Sequence, residues 1–149
     1  MTQTEAQAQA PAEKTQKPIV PFLRLPEVAE GEAYLVGSKC KSCGLIYLGQ
    51  RRACGKCFSR ELEEVRLSNE GELYVFSVVH QTAPGIPVPY IAAIVDLDDG
   101  VSVRANVEGL DPNKPDKSWF GTRLEMFTEK VRTDREGNEV IAFKFRPKK

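Results

Sequence analysis

Four cysteines, Cys40, Cys43, Cys54 and Cys57, form two Cys-x-x-Cys pairs within the stretch KCKSCGLIYLGQRRACGKC, residues 39–57, and the chain has no other cysteine. Two residues between thiols let one tight turn aim both sulfurs at one ion, and two such turns supply the four thiolates of a tetrahedral site. Gly44, just after the first pair, and Gly55, inside the second, provide the backbone freedom that such turns require. In a reducing compartment paired motifs of this kind point to metal rather than disulfides. Structural Zn2+ is the leading expectation, with rubredoxin-type iron and redox thiols as rivals. Four protein thiolates leave no open coordination position, so the expected role is structural.

Lys39, Lys41, Arg51, Arg52, Lys56 and Arg60 surround these turns, with no acid between 39 and 60. Four thiolates on a divalent ion carry a formal charge of −2, so part of this basicity neutralises the site and favours thiolate. The surplus is either a solvated face or a place for phosphates.

The elements that must hold these groups follow from composition and patterning. The chain has 149 residues, 41% hydrophobic and 28% charged, with 21 basic residues against 21 acidic ones. Such a balance argues against a protein whose main task is to grip a polyanion. No apolar run approaches the roughly 20 residues that span a bilayer. The opening residues carry no basic and apolar signal segment, so the expected address is the cytoplasm. Residues 1–18, rich in Ala, Gln, Glu and Thr, read as a disordered tail. Residues 19–38 read as a helical lead-in, with Pro26 a plausible first helical residue. Phe22, Leu23 and Leu25 pack there on the chain's own core or dock a partner.

LIYL (45–48) and ELEEVRL (61–67) read as short strands of a zinc ribbon over 39–67. From 68 to 149 the pattern is β throughout. Strands are expected at 72–80, 90–97, 101–107, 122–131 and 139–145, with Gly100 in the tight turn of the second hairpin. Ile141, Phe143 and Phe145 alternate on one side. Five strands with a long connection between the third and fourth suit an OB-type barrel, an SH3-like barrel being the nearest competitor. The expected fold class is therefore mostly β: N-terminal helix, rubredoxin-like ribbon, five-stranded OB-type barrel.

His80 is the one histidine, and no nucleophile motif, phosphate loop or dinucleotide fingerprint accompanies it. It reads as a structural strand-end residue, and the chain as non-catalytic by itself. An OB barrel beside a ribbon raises single-stranded nucleic acid as an alternative. However, the relevant strands carry one aromatic, Tyr90, and one base, Arg104, against Asp96, Asp98 and Asp99. Such a face repels phosphates. Pro84, Pro87 and Pro89 stiffen the loop before Tyr90, which suits docking or mere connection.

The stretches SKCKSCGLIY, RRACGKC, GELYVFSVVHQ and PVPYIAAIVDLDDGVSVRANVEG resemble the acyl-CoA-associated OB-fold family with a rubredoxin-like ribbon, over roughly residues 20–146. Two departures stand out: LGQRRAC replaces the family's proline-rich link, and Phe58, not Gly, follows the second pair. The resemblance implies a structural zinc on Cys40, Cys43, Cys54 and Cys57. It also implies a thiolase-superfamily catalytic partner that holds the nucleophile and base. This chain would brace that partner within an acyltransferase complex, some relatives of which degrade aromatic compounds. Arg51, Arg52 and Lys56 are then candidates for the phosphates of a CoA ester, and Tyr90 with its prolines for lining the acyl path or the partner contact. A pure assembly scaffold that never approaches substrate is the other alternative. No membrane role is implied.

Overall fold

A computed structural model describes residues 15–26 and 31–149. Ten strands make two sheets. The first three are β1 (Gln16–Pro18), β2 (Leu23–Arg24) and β3 (Tyr34–Cys40), followed by β4 (Ile46–Leu48) and β5 (Leu62–Arg66). Then come β6 (Glu70–Val79), β7 (Tyr90–Leu97), β8 (Ser102–Val107), β9 (Arg123–Thr133) and β10 (Glu139–Pro147). Among the described residues one 3-10 turn, Lys117–Trp119, interrupts the β pattern.

The barrel closes in the order β6-β7-β8-β10-β9 and back to β6. Its four antiparallel junctions are joined by one parallel contact, Phe145 opposite Val107. That is the five-stranded OB arrangement. Alternation dictates the interior: Ile91, Ala93, Val95 and Leu97 from β7 meet Val103, Ala105 and Val107 from β8, with Leu73, Leu124 and Phe145 completing the core. The Gly100 turn forms as the sequence implies, with φ 83° and its amide donating to the Leu97 carbonyl at 2.9 Å. In the long connection Trp119 and Phe120 stack on Phe76, at 5.1 and 5.2 Å between ring centroids.

The second sheet is the ribbon. β3 is its central strand, paired with β4 through 37–39 and with β5 through 36–40. Gly37 sits where these strands converge, and a methyl there would lie 2.7 Å from the Tyr47 carbonyl oxygen. Leu23, Leu35 and Leu67 belong to the same buried cluster as the barrel interior, so ribbon and barrel share one core.

Two expectations require correction. The described residues of 19–38 hold no helix; they form β2 and β3, while 27–30 lie outside the described residues. Tyr34, Leu35 and Val36 are strand formers whose two faces are both covered, so burial prevails over the helix-like Glu and Ala residues before them. In the 1–18 segment, residues 1–14 lie outside the described residues, but 16–18 are a strand running parallel to β10. Backbone bonds hold it, the Glu139 amide donating to the Thr15 carbonyl at 3.0 Å and the Ile19 amide to the Ile141 carbonyl at 2.8 Å, and Lys17 pairs with Glu136 on the surface at 3.0 Å. Leu23 is fully buried, with Phe22 and Leu25 packed on the same cluster, so these three serve the chain's own core. No helix among the described residues is long and apolar enough to cross a membrane.

Candidate metal centre

The two cysteine turns are one structure used twice. In the first, the Gly44 amide donates to the Cys40 carbonyl at 2.9 Å, and the Cys40 amide to the Leu45 carbonyl at 2.9 Å. In the second, the Phe58 amide donates to the Cys54 carbonyl at 3.0 Å, and the Cys54 amide to the Ser59 carbonyl at 2.8 Å. Residues 40, 43, 44 and 45 therefore map onto 54, 57, 58 and 59. In both turns the residue after the second cysteine is left-handed, Gly44 at φ 78° and Phe58 at φ 61°. For a non-glycine residue that conformation costs roughly 1–2 kcal/mol.

The strand ends bring the turns face to face. Cys40 and Cys57 sulfurs are 3.5 Å apart, Cys43 and Cys54 sulfurs 3.5 Å, and all four lie within 4.8 Å of one another. A tetrahedral ion with bonds near 2.3 Å needs sulfurs roughly 3.8 Å apart, so the donor set fits a metal. None of the four cysteines is in a disulfide; Cys40 and Cys54 are buried and Cys57 is exposed.

Hydrogen bonds differentiate the sulfurs. The Tyr47 hydroxyl, 3.4 Å from the Cys54 sulfur, is the largest influence holding that thiol down at about 5, followed by the Cys57 amide. The same hydroxyl accepts from the Gly55 amide at 2.9 Å, so it is fixed from both sides. The Cys43 amide lowers Cys40. At Cys57 the Ser59 amide favours thiolate, but the Cys40 thiol, then burial, then the Cys54 and Cys43 thiols outweigh it and push it up to about 11. Donors aimed at the sulfurs are the partners that stabilise a thiolate site.

The link between the turns is anchored by Ser38. Its buried hydroxyl donates to the Gly49 carbonyl at 2.7 Å and accepts the Arg51 amide at 3.2 Å. Arg51 then lays its guanidinium over the Tyr47 ring, 4.4 Å from the centroid. Arg51, Arg52 and Lys56 are all exposed around the second turn and have no ion-pair partner among the described residues.

Tyr90 lies elsewhere. It begins β7 and lines a groove of about 630 Å3 with Ile86, Pro87, Pro89, Leu110 and Val131. No ribbon residue lines this groove. At one side Lys144 meets Glu108 at 2.7 Å and Glu129 at 2.6 Å, so its charge is already balanced. The structure thus gathers the four cysteines and the three cations at the ribbon and places Tyr90 apart on the barrel. On the outer barrel face Asp98 is held by Arg123, and Asp96 accepts from the Ser102 hydroxyl at 2.6 Å. His80, just past β6, is exposed.

Tyr47 is the residue that sequence reasoning missed. Within LIYL it reads as one more strand aromatic, and only the side of β4 that faces the second turn reveals its role.

Comparisons with known proteins fit this geometry. Residues 29–63 match the family description "ChsH2, rubredoxin-like zinc ribbon domain", and residues 64–128 match "ChsH2, C-terminal OB-fold domain". A DUF35 domain-containing scaffold protein of Methanocaldococcus jannaschii is 31% identical, covering 76% of this chain and 81% of that protein. The chain belongs to the ChsH2/DUF35 family. Another relative, the benzoylsuccinyl-CoA thiolase subunit BbsA of Thauera aromatica, is 33% identical over 93% of this chain and 96% of its own length. Among solved structures, an Ltp2-ChsH2(DUF35) aldolase superposes with a TM-score of 0.59 at 25% identity, covering 76% of this chain and 84% of that one. In this ChsH2/DUF35 chain the four clustered sulfurs are a structural zinc site.

Proposed function

We propose that the chain is a cytoplasmic, non-catalytic subunit of a thiolase-type acyl-CoA acyltransferase complex. Its zinc ribbon and barrel brace a thiolase-superfamily catalytic subunit, which supplies nucleophile and base. The observation that carries this reading is the 33% identity to a thiolase subunit along 93% of this chain, ribbon and barrel alike. A metal held by four cysteines keeps no position for substrate, which suits a bracing role. By the same relationship, the acyl group belongs to the breakdown of an aromatic compound.

Arg51, Arg52 and Lys56 would meet the CoA phosphates, since charged donors without partners pair readily with phosphate oxygens. Tyr90, Pro87 and Pro89 line a groove suited to an acyl chain or to a partner side chain.

The deciding experiment is mild affinity purification of the chain from its native host, with mass spectrometry of what co-elutes. A stoichiometric thiolase-like protein is the expected result; nucleic acid alone, or nothing, overturns the reading. Within the purified complex, reversing the charge of Arg51 and Arg52 should raise KM for the CoA ester by roughly tenfold while leaving kcat near its original value. An unchanged KM removes the phosphate role.

A further inference from the structure

Phe58 stands where the first cysteine turn has Gly44, and the backbone hydrogen bonds that close the two turns correspond. Glycine adopts the left-handed backbone freely, whereas phenylalanine resists it. The ring gains little from its own fold in return: it is 80% exposed and enters none of the ring contacts formed among the described residues. A strained residue that also keeps a large apolar side chain in solvent points to a use outside the fold.

The surroundings define the use. The Ser42 hydroxyl donates to that of Ser59 at 3.1 Å, and the Lys41 amide donates to the Glu61 carbonyl at 2.9 Å. These bonds draw the first turn against the segment that follows Phe58, so Lys41 and Arg60 belong to the same tip. Both cations are exposed and lack an ion-pair partner among the described residues. Leu45, 40% exposed, adds apolar surface from the first turn. An aromatic knob flanked by unpaired cations is complementary to an apolar socket with an acidic rim. Two cations against one acid, Glu61, leave this tip net positive, which favours an acidic partner over a second copy.

We propose that Phe58 is the anchor by which the zinc ribbon docks into an acid-rimmed apolar socket on the catalytic subunit, with Lys41 and Arg60 matching the rim. The proposal rests on the subunit reading above and deepens it.

The test uses the thiolase-like protein identified by co-purification, produced separately, and the full chain with its zinc. Phe58→Gly gives the turn the residue its backbone prefers, so zinc content should stay the same and Tm should hold or rise. Affinity for the catalytic subunit should nevertheless fall by roughly 10- to 30-fold, while Phe58→Tyr stays within a few-fold of the original. The double variant Lys41→Glu/Arg60→Glu should slow association and flatten its dependence on salt. If Phe58→Gly binds as tightly as the original chain, the anchor is overturned while the subunit reading stands. Unchanged association by the charge variant overturns the acidic rim. If no thiolase-like protein binds the original chain, both proposals fall.

Discussion

The barrel closes over Leu73, Ile91, Val95, Val103, Leu124 and Phe145, whereas the tip of the ribbon closes over Cys40 and Cys54. Charge follows the same division. On the barrel, Arg123 holds Asp98 and Glu70, Lys148 holds Glu70, and Lys144 lies between Glu108 and Glu129. Around the cysteines, six cations from Lys39 to Arg60 have no acidic partner among the described residues. Much of the barrel's charge is paired across its strands, whereas the cations around the cysteines have no such partners among the described residues. That contrast separates the part that sustains the fold from the part that offers contacts.

The largest break in this contrast comes from removing the metal. Chelation should release the ribbon while the barrel persists, because apparent binding energies of structural zinc, roughly 10–16 kcal/mol in zinc-finger peptides, are the energies that fold such modules. Hydrogen exchange should then rise at 38–59 and stay slow along β7 and β8. Equal loss of protection in both regions would show that the shared cluster of Leu23, Leu35 and Leu67 makes them one unit.

The opposite break is Phe145→Ala. Removing a fully buried ring should cost about 3–5 kcal/mol in chemical denaturation, measured with zinc bound. Zinc stoichiometry of the protein still folded should be unchanged.

A finer test is Tyr47→Phe. The hydroxyl that contacts Cys54 disappears and the ring beneath Arg51 remains, so zinc affinity measured by competition with a chelator should fall about tenfold with Tm little altered. If affinity is unchanged, the backbone amides alone hold the thiolates.

The smallest effect belongs to the barrel's ion pairs. Arg123 holds the Asp98 carboxyl below its ordinary value, and Lys148 does the same for Glu70. A depressed folded value means that the stabilisation is complete above the ordinary carboxylate range, near pH 4, and is lost as pH falls through the lower folded value. These side chains are more than a third exposed and screened by solvent, so Asp98→Asn should lower stability only slightly at pH 7. The difference from the original chain should shrink in urea titrations below pH 4.

The same division governs what the sequence discloses. Cysteine spacing is local, so the metal centre is legible in residues 40–57, and so are the five barrel strands, whose apolar, β-branched runs are bounded by turn residues. β3 is not, because YLVGSKC follows a stretch of Glu and Ala that mimics a helix, and only β2, β4 and β5 reveal it as a central strand. β1 is invisible for the same reason: Gln16–Pro18 has no strand pattern and acquires one from β10. Tyr47 and Phe58 are plain residue types whose meaning lies in where one hydroxyl and one φ angle fall.

The pairing of β1 with β10 also sets an order of events during synthesis. All four zinc ligands leave the ribosome before Glu70, the first residue of the barrel, so the ion can be captured while no barrel exists. Gln16, by contrast, must wait for Glu139, 123 residues further on. Of the described strands, the first to be made therefore finds its partner only when the last has been made.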